Sequence, residues 1–288
     1  MNNNSLAKAQ QSLEGLSVGD AFGQLFFELS PYQISPSSPL PKGPWPWTDD
    51  TQMALSVVAE LAQRGGIDQD ALVADFTQRF SQQPKRGYGG GTTRLLAQLA
   101  KGGDWRELTP QLFGCGSFGN GAAMRAAPIG AYFCNDLPKT AEQARLSAVV
   151  THSHIEAQAG AIAVAIAAAL AAQDSYLQGN SFLDALLPYV PTSLTKERIQ
   201  LAMRIPSDDL YTAIQHLGTG SEASSQDTVP FCLWCAAHQA ADFEQALWTT
   251  AKGLGDVDTT CAIVGSIVAL SAKNIPVLWS ERREALPA

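Results

Sequence analysis

Charge is scarce in this chain. Only 16% of its 288 residues are Asp, Glu, Lys or Arg, and the balance is acidic, with a formal net charge of −8 and a pI near 5.0. No basic run is dense enough to follow a phosphate backbone, so general nucleic-acid binding is not expected. The stretch "MNNNSLAKAQQSLEGL" lacks the apolar core of a secretory signal. The most apolar run, "AQAGAIAVAIAAALAAQ", is dominated by alanine and falls short of a membrane span; it reads instead as a central buried helix. Cysteine is thin as well. Five of them (Cys115, Cys134, Cys232, Cys235 and Cys261) are an odd number in a long chain, which points to reduced thiols and a cytoplasmic setting. Cys232 and Cys235 have the spacing of half a zinc site, but no second pair follows, so they read as buried thiols. "RGYGGGTTRLL", residues 86–96, has no Walker lysine and no βαβ context, and reads as a flexible cleft wall.

Period-two alternation is nearly absent too, whereas helical periodicity recurs almost everywhere. It predicts helices over about 5–22, 50–64, 68–80, 92–101, 119–133, 140–150, 155–173, 182–190, 195–203, 207–217, 229–240, 243–252 and 259–272. Hydrophobic residues make up 45% of the chain, enough for a large buried core. Two connections are long. Residues 30–47 contain six prolines and cannot be helical throughout. Residues 218–228, "GTGSEASSQDT", are polar and aperiodic. The other connections are short, as in one compact helical domain. The expectation is a single all-α domain over 1–288, a multi-helix bundle.

Two acidic clusters carry the chemistry. In "PWPWTDDTQMALSVVAEL", Thr48, Asp49, Asp50 and Thr51 stand directly before an apolar helix. In "GLGDVDTTCAIVGSIVAL", Asp256, Asp258, Thr259 and Thr260 do the same. Helix capping accounts for part of this, since such side chains satisfy free backbone N–H groups and negative charge suits a helix N-terminus. Neither helix, however, has much of a polar face, so both N-termini should open into the bundle interior. Carboxylates sharing such a recess must take up protons or cations. Asp and Thr oxygens are hard donors that select Mg²⁺, Mn²⁺ or Ca²⁺ over zinc, and four carboxylates suit two ions. The expected architecture therefore has a central metal-binding cleft.

The motifs "GLSVGDAFG", "WTDDTQMAL", "GSFGNGAAMRAAPIGA", "THSHIEAQAGAIAVA" and "GDVDTT" occur in the order and rough spacing of the ADP-ribosylglycohydrolase family, and the chain resembles it from about residue 12 to 272. That family includes the dinitrogenase reductase-activating glycohydrolases and the ADP-ribosyl-acceptor hydrolases. The resemblance implies an all-α bundle with two Mg²⁺ or Mn²⁺ ions in its cleft. Thr48, Asp49, Asp50, Asp256, Asp258 and Thr259 would be their ligands, and Asp50, Asp256 and Asp258 would serve the chemistry. It implies hydrolysis of the bond between ADP-ribose and an acceptor, with ADP-ribosyl-arginine on protein favoured.

The small residues Gly116, Ser117, Gly119 and Gly121 would let backbone amides approach a diphosphate. Phe118 would stack on adenine, Asn120 would bond the ligand or fix its loop, and His152 would contact the ribose or diphosphate. A helix start with small residues for packing is the competing reading of this stretch. Arg125, inside it, is as easily structural as functional, and Asp20 reads as structural. Many family members carry a glutamate shortly after the "GDA-G" turn. Here "GDAFGQLFFELS" sets Glu28 one position late, which predicts that it does not carry the proton transfer. Leu254 replaces a common glycine in "LGDVDTT". The expected partners are ADP-ribose or an ADP-ribosylated protein, with no membrane and a monomeric chain. An ADP-ribose binder with little catalysis, such as an immunity protein against an ADP-ribosylating toxin, is the alternative.

Overall fold

The computed structural model describes residues 3–28, 40–173, 177–272 and 274–287, and among them every regular element is helical. The first half holds α1 (Asn3–Glu28), α2 (Asp49–Arg64), α3 (Gln69–Gln82), α4 (Gly90–Leu99), α5 (Trp105–Gln111), α6 (Ala127–Tyr132) and α7 (Leu137–Val149). The central helix α8 (Ile155–Ala171) is followed by α9 (Gly179–Leu186), α10 (Leu194–Ala202), α11 (Leu210–Leu217) and α12 (Ser225–His238). The chain closes with α13 (Phe243–Ala251), α14 (Val257–Ser271) and α15 (Val277–Arg282).

Helices α1 and α14 pack unusually close because both carry small residues at the crossing. Gly15, Gly19 and Gly23 recur every four residues, which places them on one stripe of α1. A Cβ on Gly19 would lie 2.2 Å from the Cys261 carbonyl oxygen, and one on Gly15 would lie 2.3 Å from that of Gly265. The contact sets backbone against backbone, and Ser12 Oγ donates to the Ser266 carbonyl across it (2.9 Å). Its consequence is positional: it seats Asp20, one residue past Gly19, beside the N-terminus of α14. The alanine-rich α8 is buried along nearly its whole length, as expected of a central helix. Cys232, Cys235 and Cys261 are free buried thiols.

Several boundaries differ from the sequence expectation, each for a local reason. Residues 119–133 form no continuous helix; a 3-10 turn over Asn120–Ala122 precedes α6, and Pro128 sits at its start, where a missing N–H costs nothing. Residues 225–228 of the expected polar loop belong to α12, with Pro230 in its early turns. The short helices α5 and α15 span only seven and six residues, too few for periodicity to register. Trp279 of α15 stacks on Phe22 (centroids 4.5 Å apart) and completes an aromatic cluster with Trp45 and Trp248. Residues 40–47 lie along this C-terminal end, where Trp45 N–H donates to the Arg282 carbonyl and Glu284 N–H to that of Trp45. The rest of the proline-rich segment, 30–39, falls outside the described residues.

Candidate active site

The N-termini of α2 and α14 converge on one cavity of about 430 Å³. Asp49 and Asp50 enter it from the first turn of α2, and Asp256, Asp258 and Thr259 from the start of α14. Thr48 caps α2, accepting from the Asp50 N–H at 3.4 Å, and its Oγ1 also lies 3.0 Å from Asp50 Oδ2. The carboxylate of Asp256, the N-cap of α14, makes no capping bond; it accepts from Asn120 Nδ2 at 2.7 Å instead. Capping therefore explains the first cluster in part and the second hardly at all. Thr259 Oγ1 joins the two helices by donating to Asp50 Oδ2 at 3.4 Å.

Asp20, Asp50 and Asp258 each bring a carboxylate oxygen within 4.8 Å of the other two. Asp20 is fully buried and already satisfied. Its Oδ2 accepts from the N–H groups of Thr48 (2.9 Å) and Thr51 (3.1 Å) and from Thr51 Oγ1 (2.5 Å), and its Oδ1 accepts from Thr48 Oγ1 (2.9 Å). Asp20 thus ties the start of α2 to α1, while its charge still acts on the cluster. Burial and then the Asp20 charge push Asp50 well above the usual carboxylate range. Burial and the neighbouring Asp256 do the same to Asp258. Enclosure, reinforced by Asp20, raises Asp49 to about 8, and burial raises Asp20 itself to about 6. The buried Asp50 Oδ1 has no hydrogen-bond partner. An orphaned carboxylate oxygen among close carboxylates, with only hard donors around it, fits a site for a divalent cation.

The opposite wall comes from two glycine-rich stretches. Ser117, Phe118, Gly119, Asn120 and Gly121 line the cavity, with Met124 and His152 behind them. Gly116 does not; at φ 84 it packs against Ser153 and His154. Gly89, Gly90, Gly91 and Thr92 form the second stretch, at the start of α4. The expected flexible wall is therefore a helix N-terminus with no side-chain cap, whose first-turn amides are free to meet an anion. Two further side chains line the cavity without having been singled out in the sequence. Phe113, 63% exposed and at φ 56, reaches over Gly91, and Glu222 comes from the loop before α12. No local pattern marks either one, since both are brought in by loop geometry. Phe118 is edge-on to His154 (5.7 Å). No lysine or arginine lines the cavity among the described residues. Glu28 ends α1, and its side chain lies outside the described residues.

No helix among the described residues is long and apolar enough to cross a membrane. Comparison with known proteins agrees with the motifs. The chain is 30% identical to an uncharacterized protein of Archaeoglobus fulgidus, over 95% of this chain and 90% of that one. It is 26% identical to human ADP-ribosylhydrolase ARH3 over 97% of this chain and 90% of the relative. The ADP-ribosylarginine hydrolase Tri1 of Serratia proteamaculans is 24% identical, over 96% of this chain and 75% of its own. The fold matches a solved "ADP-ribosylglycohydrolase-related protein complex" with a TM-score of 0.64 at 24% identity, covering 98% of this chain and 93% of that one. The sequence model of the ADP-ribosylglycohydrolases matches residues 1–286, and the chain belongs to that family of hydrolases.

Proposed function

We propose that this protein hydrolyses the bond between the distal ribose of ADP-ribose and a protein side chain, with ADP-ribosyl-arginine the favoured substrate. The observation that carries the reading is the meeting of two acidic helix N-termini and a glycine-lined, aromatic-flanked wall in one cavity. Human ARH3 and the Serratia arginine hydrolase support it by their names. The acceptor choice rests on the second of these and on the family resemblance.

Thr48, Asp49, Asp50, Asp256, Asp258 and Thr259 would hold two Mg²⁺ or Mn²⁺ ions. Divalent ions bound there neutralise the carboxylates and make water a better nucleophile at neutral pH. The protein's own groups do the rest. With no lysine or arginine lining the cavity among the described residues, the diphosphate is received by the free amides of Gly90, Gly91 and Thr92 and by the 117–121 loop. Phe113 and Phe118 offer aromatic faces for adenine. Asn120, held between Thr228 Oγ1 and Asp256, fixes that carboxylate in place. One of Asp50, Asp256 and Asp258 takes the proton of the attacking water as the water oxygen bonds to the anomeric carbon and the bond to the arginine nitrogen breaks. The guanidinium leaves as neutral guanidine and takes up that proton, while the charge on the other carboxylates favours the oxocarbenium character at the anomeric carbon.

The test is release of free ADP-ribose from an arginine-modified protein, with Mg²⁺ or Mn²⁺ and with EDTA. Release that needs the metal and disappears in Asp50→Ala and Asp258→Ala supports the reading. Tight ADP-ribose binding without release under any metal would identify a binder and overturn it.

A further inference from the structure

Arg125 is completely buried, yet it forms no salt bridge among the described residues. Its guanidinium spends its donors on neutral acceptors, the Met53 sulfur (3.8 Å) among them. Nη1 donates to the Gly121 carbonyl (2.9 Å), and Nη2 donates to the Ser147 carbonyl (2.7 Å) and to Thr151 Oγ1 (2.8 Å). The face of the group lies 4.7 Å from the centre of the Phe76 ring. A cation sealed in this way, with Nε left unpartnered, is costly unless its placement does something.

What it does follows from hydrogen-bond direction. Arginine can only donate, so Thr151 Oγ1 accepts from Nη2. That hydroxyl is itself buried and stands 2.7 Å from His152 Nδ1, the other partner it has. If Nδ1 carried a proton, the threonine hydroxyl hydrogen would be left without an acceptor in a dry site, which is the expensive arrangement. The satisfied arrangement runs one way, from Arg125 to Thr151 Oγ1 and from the Thr151 hydroxyl to Nδ1. Nδ1 is then bare, and the ring's one proton sits on Nε2. That nitrogen bonds no other described residue. It lies where a Cβ on Gly121 would be 3.0 Å away and one on Gly119 3.2 Å, so both glycines leave it open toward the cavity that His152 lines.

We propose that Arg125 and Thr151 are positioning residues that lock His152 in its Nε2–H tautomer, making it a fixed neutral hydrogen-bond donor to an anionic or hydroxyl-bearing ligand in the cavity. Burial, with the Arg125 charge behind it, lowers the His152 pKa to about 3, which agrees with a ring that stays neutral. A neutral donor serves binding and orientation; it is not a general acid. Arg125 also grips Gly121 of the ligand-facing loop, so the same cation sets the donor and the wall beside it. Only the identity of the ligand as ADP-ribose rests on the proposed function; the tautomer does not.

Two measurements test this. Long-range ¹H–¹⁵N correlation spectra of the imidazoles, of which the chain has four, give the tautomer of His152 in the ligand-free protein directly. The wild type should show a bare Nδ1 and a protonated Nε2. Thr151→Val should turn His152 into a mixture of tautomers and weaken ADP-ribose binding about tenfold, the scale of one well-placed hydrogen bond. Thr151→Ser, which restores the hydroxyl, should recover both. A wild-type proton on Nδ1 overturns the proposal without any variant being needed. A Thr151→Val protein that keeps the wild-type tautomer overturns the relay, and one that changes tautomer but keeps its affinity overturns the donor role. If the wild type binds no ADP-ribose at all, the proposed function fails, while the spectra still decide the relay.

Discussion

Removing divalent metal should make this protein lose stability as the pH rises through neutrality, and the loss should be traceable to Asp50. The reasoning starts from carboxyl groups whose folded pKa is raised. Each holds its proton in the folded chain while the same group in the unfolded chain, with an ordinary carboxylate pKa, has released it. Stability is then greatest at low pH and declines as the pH climbs toward the folded pKa. Asp50 and Asp258 are both pushed well above the usual range, chiefly by burial. Asp49, raised to about 8, joins them, and each group that holds one extra proton adds a slope of about 1.4 kcal/mol per pH unit. Between about pH 6.5 and about pH 8 that is about 2 kcal/mol for each such group, or roughly 4 °C in Tm for a chain of this size. The window matters. Below about pH 6.5 the buried neutral His152 works in the opposite sense, because its folded pKa is lowered to about 3 and the unfolded chain then binds the extra proton. Mg²⁺ or Mn²⁺ competes with protons for the same oxygens, so its stabilisation should be larger at the upper pH. Asp50→Asn should reduce the slope in EDTA, raise metal-free stability near pH 8 and abolish most of the metal-induced gain. Scanning calorimetry of both proteins, with EDTA and with saturating Mn²⁺, reads all of this. Metal-free stability that stays flat or rises over the window would refute the argument, as would an equal metal response in Asp50→Asn.

Three other substitutions separate parts of the site and fold. Phe113→Ala should weaken ADP-ribose about tenfold, the scale of one aromatic–base stack, and leave ribose 5-phosphate almost unaffected; equal losses by calorimetry would remove Phe113 from the adenine end. Leu254 stands at φ 57 and is 43% exposed. Glycine there relieves about 1–2 kcal/mol of left-handed strain against about 0.5–1 kcal/mol of added chain freedom. Leu254→Gly should thus raise stability by up to about 1.5 kcal/mol, and a clear drop in urea unfolding would show that the side chain contributes packing instead. Glu28→Gln should cost less than about tenfold in single-turnover release, because α1 continues through Glu28 and one extra residue turns a helical position by about 100°. A loss as large as that of Asp50→Asn, with metal still bound, would return Glu28 to the catalytic groups.

The acidic residues of the site were legible in the sequence because each cluster is local. Thr48 to Asp50 and Asp256 to Thr259 each sit at the mouth of a helix with almost no polar face, and that contradiction can be read from a dozen residues. Asp20 was not legible as a neighbour of either cluster. It reaches them only through the close crossing of α1 and α14, and a stripe of glycines at four-residue spacing does not say which helix it will meet. The helix expected over about 92–101 is there, but the glycines at its mouth were read as flexible wall for a similar reason. "GYGGGTTRLL" has weak helix formers at its start, so propensity favours a flexible loop, yet packing of Leu95, Leu96 and Leu99 into the core holds the segment helical from Gly90.

Asp20 and the two helix mouths also explain how a cluster of this charge can be kept at all. Repulsion between buried carboxylates within 4.8 Å is about 3.5 kcal/mol per ionised pair or more at an effective dielectric of about 20. The fold offsets part of it with neutral parts. Asp49, Asp50 and Asp258 lie in the first turns of α2 and α14, where the aligned peptide dipoles favour negative charge, and Asp256 stands at the N-cap position of the second helix without a capping bond. Asp20 lies in the middle of α1 and has no such help, and it is the one carboxylate of the cluster with all its hydrogen bonds made by the protein. Asp50 has the opposite pattern: dipole support, but an orphaned Oδ1. A structure built only to bury these groups would have satisfied that oxygen with one more hydroxyl, as Thr51 does for Asp20. Leaving it free, at the centre of the cluster and on the cavity, is what a site that exchanges a cation requires.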